Sequence, residues 1–436
     1  MGGGVLGLVA GLRRAEAGDL VTIFEAGEQI GGLAGSFNVG TVGEPVMLEK
    51  FYHHIFRTDR DIIRLVAEMG LDSEMVWGTP PTCTLWDGKI YRMDGVFAAG
   101  SPFAGTHFDT ALALLNFAPL PFLDRVRFAA MGAKLKFTDS HEGFAGQTAA
   151  QWARREAGDT AFERVLLPLL RGKFGDRYSE IAQSWLWSRF HERTQQLGYL
   201  RGGFDRLYAE VARRFTEAGG VIRTSASVAD LRTGAGGVTL TTQDGAAETF
   251  DRVLVTAPTN AFLTMAAGEL PDDYVVKYRG AVDYLAAHCL VLSFAESFGS
   301  FYWLNVNDAG YPFLALVEHT NFLPASDYGG QHLLYVGNYL PQNHPLLSKS
   351  ATDILSQFAP FLTKINPRFD AERVRGVHSF AATHAQPVVT ADYAERLPPH
   401  ETPLPGVFLA NMAHVYPQDR GQNYSIRLGE RMANLL

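Results

Sequence analysis

Three glycines at the start of the chain, Gly2, Gly4 and Gly7, form a G-x-G-x-x-G pattern that opens an apolar helical stretch. In such a pattern the first glycine makes a tight turn, the second lets a pyrophosphate reach the backbone, and the third lets helix and strand pack closely. The free N–H groups at the helix N-terminus then face the phosphates. The pattern predicts a dinucleotide-binding unit, with Val5 and Leu6 among the residues that contact the cofactor.

The residues that follow the helix support the same unit. Residues 20–24 (LVTIF) indicate a short buried parallel strand, and Glu25 ends it. A carboxylate at this place accepts hydrogen bonds from ribose hydroxyls and repels a 2′-phosphate. Because these signals follow one another in the expected order, a glycine-rich helix start that arose by chance is the weaker interpretation. The residues of the next turn are expected to contact the cofactor as well: Ala26, Gly31, Gly32 and Leu33.

A strand normally precedes this fingerprint, whereas the sequence begins at the turn itself. By the usual strand length, we expect about six residues of a first, central strand to be missing. Its absence is expected to leave neighbouring strands with unpaired backbone groups, and so to weaken folding or cofactor binding. Either a start codon assigned too far downstream or a native truncation would explain the missing strand.

Composition narrows the class of protein. Of 436 residues, 47% are hydrophobic and 19% charged, as in an ordinary globular protein. The net charge of −8 argues against nucleic-acid binding. Cys83 and Cys289 are the two cysteines, with no CxxC and no Cys/His cluster, which argues against a disulfide framework or a metal site and favours a cytoplasmic setting.

The sequence has no apolar run long enough to span a bilayer. Residues 117–122 (FAPLPF) lead into a basic, apolar stretch that suits either the inner face of a membrane or the core of a cap helix. Further along, residues 84–95 predict a hairpin with a type I′ turn at Asp87-Gly88. Helical periodicity dominates residues 111–190, and residues 288–295 and 332–340 predict strands.

The chain resembles the flavin amine oxidase and protoporphyrinogen oxidase superfamily, and more distantly phytoene desaturases and UDP-galactopyranose mutase. Glu25-Ala26 and Gly31-Gly32-Leu33 carry the resemblance near the start. Four later segments fit the same pattern: 198–215, 219–232, 251–262 and 406–435. The resemblance implies an α/β fold, with a Rossmann-like FAD-binding domain of the glutathione-reductase type and an interleaved α+β substrate domain.

The order of these segments implies discontinuous domains. The FAD-binding domain is expected to comprise residues 1–80, 200–265 and 390–436. The substrate or cap domain is expected to comprise residues 81–199 and 266–389.

The resemblance also implies further cofactor contacts. The backbone around Val228 is expected to hold adenine, and Thr256 belongs to a strand and turn that closes the FAD domain. The C-terminal loop and the helix predicted over 425–435 are expected to approach the flavin, where a helix N-terminus stabilises negative charge on the reduced ring. The implied contacts in this loop are Asp419, Arg420, Asn423 and Tyr424. From the residues alone, Asp419-Arg420 also suits a surface ion pair.

Adjacent histidines, His53 and His54, lie between aromatic residues, just before a helix that Thr58 or Asp59 is expected to cap. His54 begins a tripeptide that resembles the HIF motif of UDP-galactopyranose mutases, although the residues before it depart from the mutase pattern. A histidine near the flavin titrates close to neutrality and can hydrogen-bond ring or substrate. The alternative, one core and one solvated histidine, stays open.

The candidate catalytic residues are His54, His384 and Tyr424. Since the sequence has one dinucleotide fingerprint, electrons from the substrate are expected to pass to oxygen, a quinone or another acceptor. The leading function is an FAD-dependent oxidase, dehydrogenase or desaturase that moves a hydride from a C–N or C–C bond of an apolar or cyclic small molecule to flavin N5. The alternatives are a mutase-like flavin-dependent sugar-nucleotide isomerase and a truncated, non-catalytic relative.

Overall fold

The structure, a computed structural model, describes residues 1–40, 45–95, 106, 109, 112–113 and 115–436. Within these residues, short parallel strands and helices surround the start of the chain, and a larger mixed sheet with a helical region forms the rest. The predicted helical stretch at 111–190 begins partly outside the described residues, which omit 111 and 114.

Two parallel strand pairs flank the fingerprint. Thr22–Phe24 pairs with Val221–Arg223, and Val253–Val255 pairs with Val407–Leu409. The first of these strands begins two residues later than predicted because Leu20 is 95% exposed rather than buried.

The backbone of Met1 and Gly2 lies between these pairs. The N–H of Gly2 donates to the carbonyl of Phe24 at 2.7 Å, and the amino group of Met1 donates to the carbonyl of Leu254 at 2.8 Å. Thr256 in turn donates its N–H to the carbonyl of Met1 at 2.9 Å. These two residues therefore connect both strand pairs at the level of the fingerprint.

The fingerprint helix, Val5–Glu16, packs against Asp205–Glu217 and against the C-terminal helix, Gln422–Leu435. Its side chains Leu8 and Leu12 are fully buried, as the apolar pattern predicts. The C-terminal helix begins three residues earlier than expected, because Gly421 takes an extended backbone and serves as its N-cap.

A seven-stranded mixed sheet forms the core of the second part of the molecule. Its strands, in spatial order, are Gly376–Pro387, Tyr284–Phe294, His332–Leu340, Ala315–Glu318, Trp303–Val306, Thr82–Trp86 and Lys89–Arg92. Both predicted apolar strands are confirmed. The predicted hairpin is confirmed as well: Asp87 and Gly88, with φ of 51° and 69°, form its turn.

The remaining strands form small sheets that support these layers: Val228–Gly234, Gly237–Thr242 and Ala247–Phe250; Ile55–Phe56, Leu197–Leu200 and Met75–Gly78; and Ser36–Asn38 with Met47–Glu49. Within the ranges that the structure describes, the other α-helices of at least seven residues are Arg60–Glu68, Phe122–Lys136, Ala149–Ala157, Leu167–Phe174, Gln183–His191, Thr259–Met265, Asp272–Tyr278 and Ala351–Ile365.

The stretch at 117–122 divides between core and surface. Phe117 and Leu120 are buried in the helical region, whereas Phe122 and Leu123 are 70% and 68% exposed. Core packing therefore accounts for Phe117 and Leu120 but not for the exposed Phe122 and Leu123. Among the described residues, no helix has both the length and the apolar character needed to cross a membrane.

Candidate cofactor and active site

A cavity of about 780 Å³ extends from the fingerprint glycines to the loop that precedes the C-terminal helix. Most of the residues predicted to contact cofactor or substrate line it. They are Gly2, Gly4, Val5, Leu6, Gly7, Glu25, Ala26, Gly31, Gly32, Leu33, Val228, Thr256, His384 and Arg420.

The fingerprint glycines differ in what surrounds them. A Cβ at Gly7 would lie 2.0 Å from the carbonyl oxygen of Gly2, so helix and turn are in direct contact there. Gly2 has a φ of +107°, and a Cβ on it would lie 2.2 Å from Oγ1 of Thr256. At Gly4, by contrast, the nearest atom to such a Cβ is Cα of Gly32 at 4.0 Å. Gly4 therefore keeps space open at the helix N-terminus, whereas Gly2 and Gly7 permit close packing.

Glu25 is held by backbone groups at the end of its strand. Its Oε2 accepts the N–H of Gly3, and its Oε1 accepts the N–H of Gly27, each at 2.7 Å. Each carboxylate oxygen keeps a further lone pair for a ligand. The carboxylate therefore has a fixed position beside the cavity.

Side chains that sequence reasoning missed line the cavity near Val228. Gln243 lies in the turn that follows the strand Gly237–Thr242, and Met265 ends the helix Thr259–Met265. No motif marks these residues, because they approach the fingerprint only in the folded chain.

At the opposite end, Arg420, His384, Tyr284 and His53 line the cavity. The guanidinium of Arg420 donates from Nε to Oε1 of Gln386 at 3.0 Å and from Nη2 to the hydroxyl of Tyr339. Burial lowers the pKa of His384, so its imidazole is neutral near pH 7.

His53, rather than His54, lines the cavity. Nδ1 of His53 lies 2.6 Å from the carbonyl of Phe51 and therefore donates to it. Burial and the neighbouring Arg420 lower the pKa of His53 to about 4, so this ring is neutral near pH 7. His54 lies just beyond the lining, with Nδ1 3.0 Å from the hydroxyl of Tyr302.

Asn423 lies outside the cavity lining and caps a distant helix. Its Oδ1 accepts the N–H groups of Asp61 and Ile62 at 2.9 and 3.1 Å, at the start of Arg60–Glu68. Asp59 occupies the N-cap position of this helix, as expected, but its carboxylate accepts the N–H of Phe56 and does not cap the helix.

Tyr424 and Asp419 also lie outside the lining. Tyr424 packs under Arg427, whose Cζ is 5.3 Å from the ring centre. Asp419 does not form a surface ion pair: its side chain is 13% exposed and binds Lys173 and Arg189 at 2.7 and 2.8 Å. The adjacent residues Asp419 and Arg420 therefore lie in different environments: Asp419 is in a buried ion-pair cluster, and Arg420 is on the cavity wall.

Known proteins resemble this chain over most of its length. The sequence model of the family described as flavin containing amine oxidoreductase matches residues 7–418. Protoporphyrinogen oxidase 1, chloroplastic, of Spinacia oleracea is 25% identical over 209 residues, which cover 47% of this chain and 33% of that protein. The match thus spans about a third of the curated relative.

Two solved structures show the fold. Cyclohexylamine oxidase from Brevibacterium oxydans IH-35A superposes with a TM-score of 0.69 at 15% identity, covering 100% of this chain and 97% of that one. Reduced UDP-galactopyranose mutase superposes with a TM-score of 0.72 at 13% identity, covering 100% and 95%. The predicted fold class, a Rossmann-like FAD-binding fold with an interleaved substrate domain, is confirmed. Because the family match covers nearly the whole sequence, the chain belongs to the flavin-containing amine oxidoreductase family.

Proposed function

We propose that this protein is an FAD-dependent oxidoreductase. It takes a hydride from a C–N or C–C bond of an apolar or cyclic small molecule, and the electrons pass to oxygen, a quinone or another acceptor. One observation carries the proposal: a single cavity joins the fingerprint at Gly4 and Glu25 to a wall formed by His53, His384 and Arg420.

The residues at the fingerprint end fit the adenine dinucleotide part of FAD. The open space at Gly4 and the N-terminus of the fingerprint helix would hold the pyrophosphate. The fixed carboxylate of Glu25 would accept hydrogen bonds from ribose hydroxyls. Val228 and Gln243 would border the adenine.

The residues at the opposite end fit the flavin ring and a substrate. When bound, the isoalloxazine ring supplies an acceptor for the hydride. The N-terminus of the C-terminal helix, preceded by Arg420 and Gly421, offers positive potential for negative charge on that ring. The neutral imidazole of His384 can accept a proton from the substrate, since its pKa is lowered by burial.

The cavity lining also supports the proposed domain division. Residues of the fingerprint, Val228, Thr256 and the C-terminal loop come from the FAD-binding segments 1–80, 200–265 and 390–436. Tyr284 and His384 come from the proposed substrate domain, 81–199 and 266–389. The proposed reaction centre lies where the two sets meet.

Two measurements test the function. First, the purified protein is expected to bind FAD one to one and to leave FMN unbound, because FMN lacks the adenine half. Second, anaerobic mixing with cyclic amines and other cyclic candidates is expected to bleach the visible flavin absorbance. A flavin-free protein that also fails to bind added FAD would contradict the proposal and favour a non-catalytic relative.

A mutase-like isomerase gives a different outcome. Such an enzyme interconverts a sugar nucleotide only after dithionite reduction and does not consume an acceptor. The observation that favours it is His54, which follows the cavity-lining His53 by one residue. Substrate oxidation by the oxidised enzyme excludes this alternative.

A further inference from the structure

The C-terminal loop turns one side chain into the cavity and the preceding one into a buried cluster of charges. Oδ2 of Asp419 lies 2.7 Å from Nζ of Lys173, 2.8 Å from Nη1 of Arg189 and 3.7 Å from Nη2 of Arg193. Three basic side chains thus converge on one carboxylate, and burial lowers the pKa of the Lys173 ammonium well below its ordinary value. Lys173 and Asp419 are 10% and 13% exposed, so most of this charge is shielded from water.

The other contacts of Asp419 do not balance the positive charge. Its Oδ1 accepts from Nε1 of Trp185 at 3.1 Å, and its backbone N–H donates to Oγ of Ser188 at 3.2 Å. Both partners are neutral. Two further carboxylates, Glu192 and Asp59, act electrostatically on the same neighbourhood, but within the described residues neither forms an ion pair with the cluster. A cluster with excess positive charge in a poorly solvated place favours the approach of an anion.

Arg193 is the least engaged cation of the cluster. Within the described part of the chain, Asp419 is the one carboxylate within 4 Å of Arg193, at a distance beyond hydrogen bonding. Burial and the adjacent Arg189 lower the pKa of Arg193 to about 10, although 40% of its side chain is accessible. A guanidinium that neighbouring residues desolvate in part and yet leave 40% accessible keeps donors available for a ligand.

Aromatic side chains lie between the charged cluster and the residues of the cavity wall. The ring centre of Tyr339 lies 5.5 Å from Nζ of Lys173 and 5.3 Å from Cζ of the cavity-lining Arg420. Cζ of Arg193 lies 5.5 Å from the ring centre of Phe56. The electrostatic effect of Arg193 reaches His54, the neighbour of the cavity-lining His53. The charged cluster therefore lies directly behind the wall that carries Arg420.

We propose that the substrate carries an anionic group, a carboxylate or a phosphate ester, and that Arg193 binds this group. The inference rests on the proposed function and narrows its substrate class. The planar fork of a guanidinium matches both kinds of oxyanion with paired hydrogen bonds. Lys173 and Arg189 engage Asp419, which leaves Arg193 free to receive the ligand. The substrate's oxidisable carbon would then lie on the cavity side, near His53 and Arg420.

Three aromatic probes test the proposal on the flavin-loaded protein: benzoate, phenyl phosphate and the neutral benzamide. Binding is followed by the change in the visible flavin absorbance. At least one anion is expected to bind at least tenfold more tightly than benzamide. The anion that binds more tightly shows whether the substrate carries a carboxylate or a phosphate ester.

Variants then assign the effect to Arg193. Arg193→Gln is expected to weaken the preferred anion about ten- to hundredfold, the range for loss of a charged hydrogen bond, and to leave benzamide unchanged. Arg193→Lys should retain part of the affinity because it keeps the charge. Arg155→Gln is the matched control, since Arg155 is 63% exposed and pairs with Glu156 far from the cluster.

The outcomes separate this inference from the proposed function. A protein that cannot bind FAD contradicts the function. A flavin-loaded protein that binds neither anion, or that binds both no better than benzamide, contradicts the anionic substrate alone. If an anion is preferred but Arg193→Gln and Arg193→Lys both keep its full affinity, the assignment to Arg193 is overturned.

Discussion

The two ends of the cavity are built by opposite means. The fingerprint end depends on missing side chains: Gly2 and Gly7 let backbone segments touch, and Gly4 leaves a space. The opposite end depends on charged side chains, with Arg420 on the cavity wall and Asp419 in the cluster behind it. A substitution at the first end adds atoms where none fit, whereas one at the second leaves charges unbalanced.

The largest expected effect is at the charged end. Asp419→Asn removes the carboxylate that Lys173 and Arg189 share, and should lower the free energy of unfolding by about 3–5 kcal/mol, as for other broken buried ion pairs. Urea unfolding of the flavin-loaded protein measures this loss of stability. The control is Asp159→Asn, whose carboxylate is 77% exposed beside Arg154, with an expected loss below about 1 kcal/mol. Equal losses in the two variants would mean that the cluster is not a buried charge network.

The next effect is at the glycine end. Gly7→Ala places a Cβ against the carbonyl of Gly2 and should cost about 1–3 kcal/mol of stability, with loss of bound flavin. Flavin content per polypeptide and urea unfolding check both parts. Gly143→Ala is the control, because no atom lies within 4 Å of the added Cβ. Full flavin content in Gly7→Ala would show that the close contact is not needed.

A smaller effect is expected at Glu25, where the fingerprint end also uses a charge. Glu25→Gln keeps the side-chain size but removes the charge that strengthens hydrogen bonds to Gly3 and to ribose. FAD affinity should fall about tenfold, or about 1.4 kcal/mol. Titration of the flavin-free protein with FAD measures it, with Glu16→Gln, 40% exposed on the fingerprint helix, as control. An unchanged affinity would remove Glu25 from the proposed cofactor contacts.

The smallest effect concerns pH at the charged end. The pKa of His53 is about 4 in the folded protein and near its ordinary 6.5 when unfolded, so the unfolded chain binds the extra proton between these values. Stability should therefore fall by about 1 kcal/mol as the pH drops from 6.5 to about 5.5, the part of this window in which the unfolded chain starts to bind its proton. His53→Asn should make this slope shallower in urea unfolding at several pH values. Identical slopes in both proteins would mean that His53 is solvated.

The sequence predicts the fingerprint end well because its information is local. Gly2, Gly4, Gly7 and Glu25 lie within one βα-turn-β unit, and the structure brings them to the cavity. The strands of the substrate sheet follow from equally regular patterns, whereas the fold class is implied by the resemblance to the flavin amine oxidase superfamily.

The charged end is harder to predict. Asp419 meets Lys173 and Arg189 across 246 and 230 positions of sequence, a pairing that no spacing indicates. The presence of His53 rather than His54 in the cavity lining is hard to predict for a different reason: neighbouring side chains point in different directions, so one position along the chain decides which of them faces the cavity. Gln243 and Met265 carry no motif at all.

The cap that Asn423 provides for Arg60–Glu68 has a consequence for the order of events during synthesis. The two partners are 362 positions apart, so the ribosome makes the helix long before it makes the residue that satisfies its first N–H groups. The fingerprint helix likewise cannot complete its packing until Gln422–Leu435 has been synthesised. A nascent chain that has emerged only as far as the substrate sheet therefore still exposes these early helices, and chaperones have their longest opportunity to bind it there.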